Sequence, residues 1–152
     1  MNEQKSSMRL AQILGGTGLI PLIVADIAAV QGYGIIAVSL GNIYAAIILG
    51  FLGAIHWGLA LDRTQRPDEA GPLLLWSVIP ALWGFFALWW SPLLATLLLM
   101  LGFVAQWLAD YRLQRRAISW PTWFFPLRSA LTLGILILLG ILAVEIYSLA
   151  GQ

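Results

Sequence analysis

IIAVSLGNIYAAIILGFLGAIHWGLAL, residues 35–61, runs from Ile35 to Leu61 without a single charged side chain. A helix rising 1.5 Å per residue needs about 20 mainly apolar residues to cross a hydrocarbon core about 30 Å thick. The stretch is long enough to span a membrane, and to tilt or extend beyond it. A transmembrane strand would alternate apolar and polar side chains, and this sequence does not. One histidine, His56, interrupts the run, and it is the only histidine in the chain.

The rest of the chain has the same character. Of 152 residues, 61% are hydrophobic and 10% charged, with a mean hydropathy of +0.88. Soluble domains carry about 25% charged residues, and one soluble core could not absorb this surplus. Four further apolar segments are predicted to span: Leu10–Val30, Pro72–Trp90, Leu93–Tyr111 and Leu127–Leu149. The expected fold is an all-α integral membrane protein, a five-transmembrane-helix bundle forming a single membrane domain over residues 1–152. The short connections QGYG, DRTQRPDEAG and SP leave no room for a separate soluble domain. Lys5 and Arg9 resemble the charged start of a signal peptide, but the apolar stretch after them is too long and contains Asp26, so an uncleaved helix is expected.

With five spans, all eight basic residues (Lys5, Arg9, Arg63, Arg66, Arg112, Arg115, Arg116 and Arg128) fall on the N-terminal side. Cytoplasmic loops are enriched in Lys and Arg. The N-terminus is therefore expected inside and the C-terminus outside, in a bacterial inner membrane. Arg112, Arg115 and Arg116 would attract anionic lipid headgroups, each worth about 1 kcal/mol. Trp89 and Trp90 at one interface, with Trp107, Trp120, Trp123, Phe124 and Phe125 at the other, form an expected aromatic belt. SWPTWFFP, Ser119 to Pro126, is expected to lie along the inner surface, its prolines preventing a regular helix.

Ala46, Gly50, Ala54 and Gly58 recur every four residues, and a stripe of small side chains lets another helix approach closely. Contact with a helix of the same chain is expected, closest at Gly50 and Gly58. GGTGLIP, Gly15 to Pro21, carries three glycines and a proline and is expected to kink the first span.

Polar residues buried in lipid are costly and face the bundle interior, paired or lining a wet cavity. His56, Gln106, Asp110, Arg128 and Thr132 come from three spans and fall at one depth in the inner half, with Trp76, Ser77 and Trp83 on the third span nearby. Two readings stand side by side: a structural ion pair with a singly bonded imidazole, or a cavity lined by imidazole, carboxylate, guanidinium and indoles. A second polar set, Asp26, Asn42, Glu145 and Tyr147, lies in the outer half, where headgroup solvation accounts for it.

Much chemistry is excluded. The chain has no cysteine and one histidine, so neither a thiolate centre nor a bis-histidine haem site is available. No nucleophile–base–acid trio shares one depth, and no glycine loop of the phosphate-binding kind follows a strand. No metal and no cofactor are predicted, and nucleic acid is excluded as a partner for basic residues confined to short membrane loops.

YAAIILGFLGAIHWGLAL (Tyr44 to Leu61), a Trp-rich third span with an internal proline, Asp110, and PTWFFPLRSALT (Pro121 to Thr132) resemble one family. It is the domain of unknown function 3429 family, the transmembrane protein 69-like small multi-span membrane proteins. The resemblance makes His56, Trp57, Gly58, Arg128 and Thr132 motif positions. It has Trp123-Phe124 where the family pattern has Trp-Tyr, and it implies no activity. The tryptophan-rich five-helix translocator proteins share size and span count, but not sequence motifs.

The candidate ligand-binding residues are thus His56, Trp57, Trp83, Gln106, Asp110, Arg128 and Thr132. The leading functional expectation is a non-enzymatic protein holding an amphipathic small molecule (a lipid, quinone or tetrapyrrole) in the inner-leaflet cavity. The alternative is an accessory or assembly subunit of a larger membrane complex, or a homo-oligomer. A proton-coupled transporter comes third, since five short helices leave little room for alternating access.

Overall fold

The computed structural model of the protein describes residues 2–62, 67–115 and 121–150. These are almost entirely helical, with no strand among them. The helices are α1 (Asn2–Thr17), α2 (Ile20–Ala28), α3 (Gly34–Asp62), α4 (Pro67–Ala87), α5 (Pro92–Arg115) and α6 (Phe124–Ala150), with a wide helical turn, Ala29–Tyr33, between α2 and α3. Four stretches are long and apolar enough to cross a membrane: Lys5–Asp62, Ala70–Ala87, Pro92–Arg115 and Phe124–Ser148. The chain is an integral membrane protein.

The first of those stretches, 58 residues long, is not one rod. Gly32 stands at φ 94° and Gly34 at φ 43°, conformations that only glycine adopts without a Cβ penalty. The chain reverses there. Gly41 packs against Ala25, and the Tyr44 hydroxyl donates to the Gly18 carbonyl at 2.8 Å, so α3 runs back along α2.

The glycine–proline stretch in the first leg breaks the helix outright instead of bending it gently. α1 ends at Thr17 and α2 starts at Ile20, with Pro21 in its first turn, where a missing N–H is tolerated. Leu22 N–H bonds to Leu19, not Gly18, which frees the Gly18 carbonyl for Tyr44. In lipid such a carbonyl needs a protein partner.

α3 is the hub and packs against α2, α4, α5 and α6. Its buried positions include Val38, Asn42, Ala45, Leu49, Gly53, His56 and Ala60. α5 buries Thr96, Leu99, Phe103, Gln106 and Asp110, while α6 buries Arg128, Thr132, Ile135, Leu139 and Leu142. Steps of three and four residues are the seam of helices that cross at shallow angles. Leu49, Leu99, Phe103, Leu139 and Leu142 fill the middle of the core, all fully buried.

The small-residue stripe behaves differently. On a helix of 3.6 residues per turn, a four-residue repeat advances about 40° at each step. The stripe therefore winds off the interface. Ala46 meets Gly84 and Gly50 meets Ala81, both on α4, but a side chain at Gly58 would find nothing within 4 Å. The expected close approach at Gly58 is corrected accordingly. The tightest crossing is at Gly53, where a Cβ would stand 2.5 Å from the Ser77 carbonyl and 3.1 Å from Pro80.

Two span ends shift. α4 stops at Ala87, leaving Trp89 and Trp90 exposed in the turn before α5. α6 begins at Phe124, so Phe124, Phe125 and Pro126 of the SWPTWFFP stretch are helical, not an irregular surface segment. Pro126 lies in the first turn, where no helical N–H bond is lost. Arg63, Arg66, Arg116, Ser119 and Trp120 lie outside the described residues.

Candidate functional site

At the end of the bundle where α3 and α5 finish and α6 begins, five of the seven sequence-predicted residues meet. His56 and Gln106 are fully buried; Asp110, Arg128 and Thr132 are at most 4% exposed. Asp110 is the centre. Its Oδ2 accepts from Arg128 Nε at 2.8 Å, and its Oδ1 accepts from Gln106 Nε2 at 3.3 Å and faces His56 Nε2 at 3.4 Å. Gln106 Nε2 also stands 3.2 Å from His56 Nδ1 and 3.4 Å from the Leu52 carbonyl. An amide N–H donating to Nδ1 leaves the imidazole proton on Nε2, aimed at the carboxylate. That last contact is longer than a good N–H···O bond.

Arg128 closes the network. Its Nη1 donates to Thr132 Oγ1 at 2.6 Å, and that hydroxyl donates on to the Arg128 carbonyl at 2.9 Å, one helical turn away. Nη2 has no acceptor among the described residues. Burying an ion pair is costly unless its remaining lone pairs and protons are satisfied, and here Nη2 and His56 Nε2, with its long contact, are the nitrogens left without a good partner among the described residues.

The network has supports beyond the candidate ligand-binding residues. Trp76 Nε1 donates to Gln106 Oε1 at 3.0 Å, fixing the amide so that its nitrogen faces His56 and Asp110. Trp107 Nε1 donates to Ser129 Oγ at 3.0 Å and stacks on Tyr111, with centroids 5.6 Å apart and planes 6° apart. Phe125 packs 5.7 Å from the same indole, so an aromatic bracket ties α5 to α6 beside the Asp110–Arg128 pair. The signal available in sequence was the chemistry of Gln106: its amide oxygen also needs a donor in lipid, and Trp76 was near it in depth.

Two predicted residues stand apart. Trp57 is on the outer face of α3, 49% exposed. Trp83 packs over Gly102, where a Cβ would fall 2.8 Å from the indole, and donates to the Leu98 carbonyl at 2.7 Å. Trp83 lines a separate hollow with Ile79, Leu82, Phe86, Trp90 and Leu98, none of them charged.

Beside the network runs a groove of about 350 Å³ between α1, α3 and α6. Its walls are apolar (Leu14, Leu19, Ile48, Phe51, Leu131 and their neighbours), and among the described residues Arg128 is the one charged side chain lining it. α1 and α6 are parallel there, since Gly15 faces Leu131 and Leu19 faces Gly134. Trp123 and Phe124 stand at one end and Ile135 lies deeper. The volume sits at the lower end of the range for small-molecule sites. His56, Gln106 and Asp110 lie behind Arg128 and do not line the groove.

The chain resembles transmembrane protein 69 of Xenopus tropicalis, with 30% identity over 152 residues covering 97% of this chain and 55% of that protein. It thus spans about half the length of the curated relative it matches. No solved structure matches it. The model of the family described as protein of unknown function (DUF3429) matches residues 7–144, which hold the whole polar network and the groove. The protein belongs to the DUF3429 family.

Proposed function

We propose that this is a non-enzymatic membrane protein that holds one amphipathic molecule in the groove between α1, α3 and α6. The observation that carries the reading is a single guanidinium set in an otherwise apolar groove and anchored from behind by a buried network. The network then serves to keep Arg128 in place at membrane depth, where an isolated charge would be expelled or would snorkel away. The test is native mass spectrometry of the chain extracted from its own membrane in mild detergent. A stoichiometric adduct should be present and should disappear in Leu14→Trp, which fills the groove from an exposed wall position. A wild-type chain free of any adduct overturns the reading.

The proposal includes the arrangement in the membrane. The reversal at Gly32 supports counting two crossings in the first stretch, five in all. On that count the distribution of basic residues favours an N-terminus inside and a C-terminus outside, in what we take to be a bacterial cytoplasmic membrane. A reporter fused at Gln152 should behave as periplasmic, and cytoplasmic activity there would refute this arrangement. Arg112 and Arg115 are exposed, and in this reading they meet anionic headgroups on the inner surface.

A second reading, an accessory subunit of a larger membrane complex or a homo-oligomer, draws on the uncovered part of α3. Ala54, Trp57 and Gly58 are all exposed, and Gly58 has nothing within 4 Å. A chain that leaves the membrane only with a stable partner would favour it.

A further inference from the structure

We infer that the occupant of the groove is an anionic phospholipid, with one acyl chain along the apolar wall and its phosphate on Arg128. This rests on the ligand-binding reading above and adds the ligand's class. The groove runs in the direction of a lipid tail, from Trp123 and Phe124 at the start of α6 toward Ile135 about three turns deeper. Arg128 lies about 6 Å along the helix from Phe124, at the level where headgroup gives way to tail.

Two of the three guanidinium nitrogens are engaged. Nε serves Asp110 and Nη1 serves Thr132, while Nη2 has no acceptor among the described residues. A buried donor without an acceptor is a persistent cost, and phosphate oxygen is a strong acceptor for a guanidinium. Asp110 balances the formal charge of Arg128 from behind, so the pull on the headgroup is set by the open donor and by the surrounding surface. At this end of the bundle Arg9, Arg112 and Arg115 are exposed, which enriches the surface in anionic lipid. Asp62 and Asp68 are exposed at the same end on α3 and α4, but among the described residues no carboxylate lines the groove. The parallel pair α1 and α6 offers an acyl chain a slot with α3 as its floor.

The experiment uses the full chain in nanodiscs of phosphatidylglycerol and phosphatidylcholine in equal parts, released for native mass spectrometry. One phosphatidylglycerol should stay bound, at least tenfold over phosphatidylcholine. Leu14→Trp should lose it, as a lipid-facing change that leaves the core untouched. The paired variant Arg128→Gln with Asp110→Asn removes both charges together, leaves no lone buried ion, and should hold the two lipids equally. Equal retention by the wild type, or unchanged phosphatidylglycerol on Leu14→Trp, overturns the assignment. If neither lipid stays while the chain from its own membrane still carries an adduct, the lipid is wrong and the groove reading stands. If both preparations are bare, both fail.

Discussion

Where α6 begins, Asp110 is met by three side chains, one of them the Arg128 guanidinium at 2.8 Å. At the opposite end, Asn42 and Thr96 make a small closed set: Thr96 Oγ1 lies 3.0 Å from Asn42 Oδ1, and Asn42 Nδ2 donates to the Pro92 carbonyl at 3.1 Å. Asp26 near them is 6% exposed, and neither of its carboxylate oxygens has a partner among the described residues. The first region is held by charge and is all-or-none; the second is held by neutral bonds, one by one. The contrast implies that damage to the first region should be large and non-additive, and damage to the second small and additive.

The largest expected effect follows from splitting the ion pair. Asp110→Ala leaves Arg128 buried with no counter-charge and should cost about 3–5 kcal/mol. Replacing both partners, Asp110→Leu with Arg128→Leu, should cost less than either single change. Unfolding in mixed micelles followed by tryptophan fluorescence measures this, and additive losses would show that the pair does not act as a unit. Next comes packing at Gly53, the tightest crossing in α3. Gly53→Leu should cost about 1–3 kcal/mol by overpacking against Ser77 and Pro80. Gly58→Leu, with open space around it, should stay within about 0.5 kcal/mol. Equal effects at the two glycines would mean that the face of Gly58 is covered by another chain.

Smaller still are changes at the opposite end. Thr96→Val removes a hydroxyl hydrogen bond inside the membrane and should cost about 0.6 kcal/mol, the average for such bonds. Asp26→Leu takes away a polar group with nothing bonded to it, and should leave the protein unchanged or more stable. A clear loss of stability there would reveal a partner for Asp26 and erase the contrast between the two ends.

The ionisable cluster was legible because a lipid-soluble chain has few places to put an imidazole, a carboxylate and a guanidinium. Depth along each span was enough to bring His56, Gln106, Asp110, Arg128 and Thr132 together. Rotation about the helix axis was harder. Trp57 adjoins His56 in sequence but lies a quarter-turn away, on the outer face. The stripe from Ala46 to Gly58 looked like one face, but its four-residue repeat winds about 120° over that length. Nor could spacing show that Trp83 would serve α5 through Gly102 and Leu98, because an indole long enough to reach a neighbour has several within range. Tyr44 illustrates the general limit. The glycine–proline break announces that carbonyls will be set free, but not which donor will find the one at Gly18.

That tyrosine bond has a consequence for how the chain enters the membrane. While it emerges from the ribosome, the first leg carries its helix break before residue 44 has been made. Without α3 the Gly18 carbonyl has no side-chain donor and would turn to water or headgroups. The Tyr44 donor is 26 residues further along the chain, so the helix break of the first leg is completed only by packing against α3, and Tyr44→Phe should leave the Gly18 carbonyl without its side-chain donor.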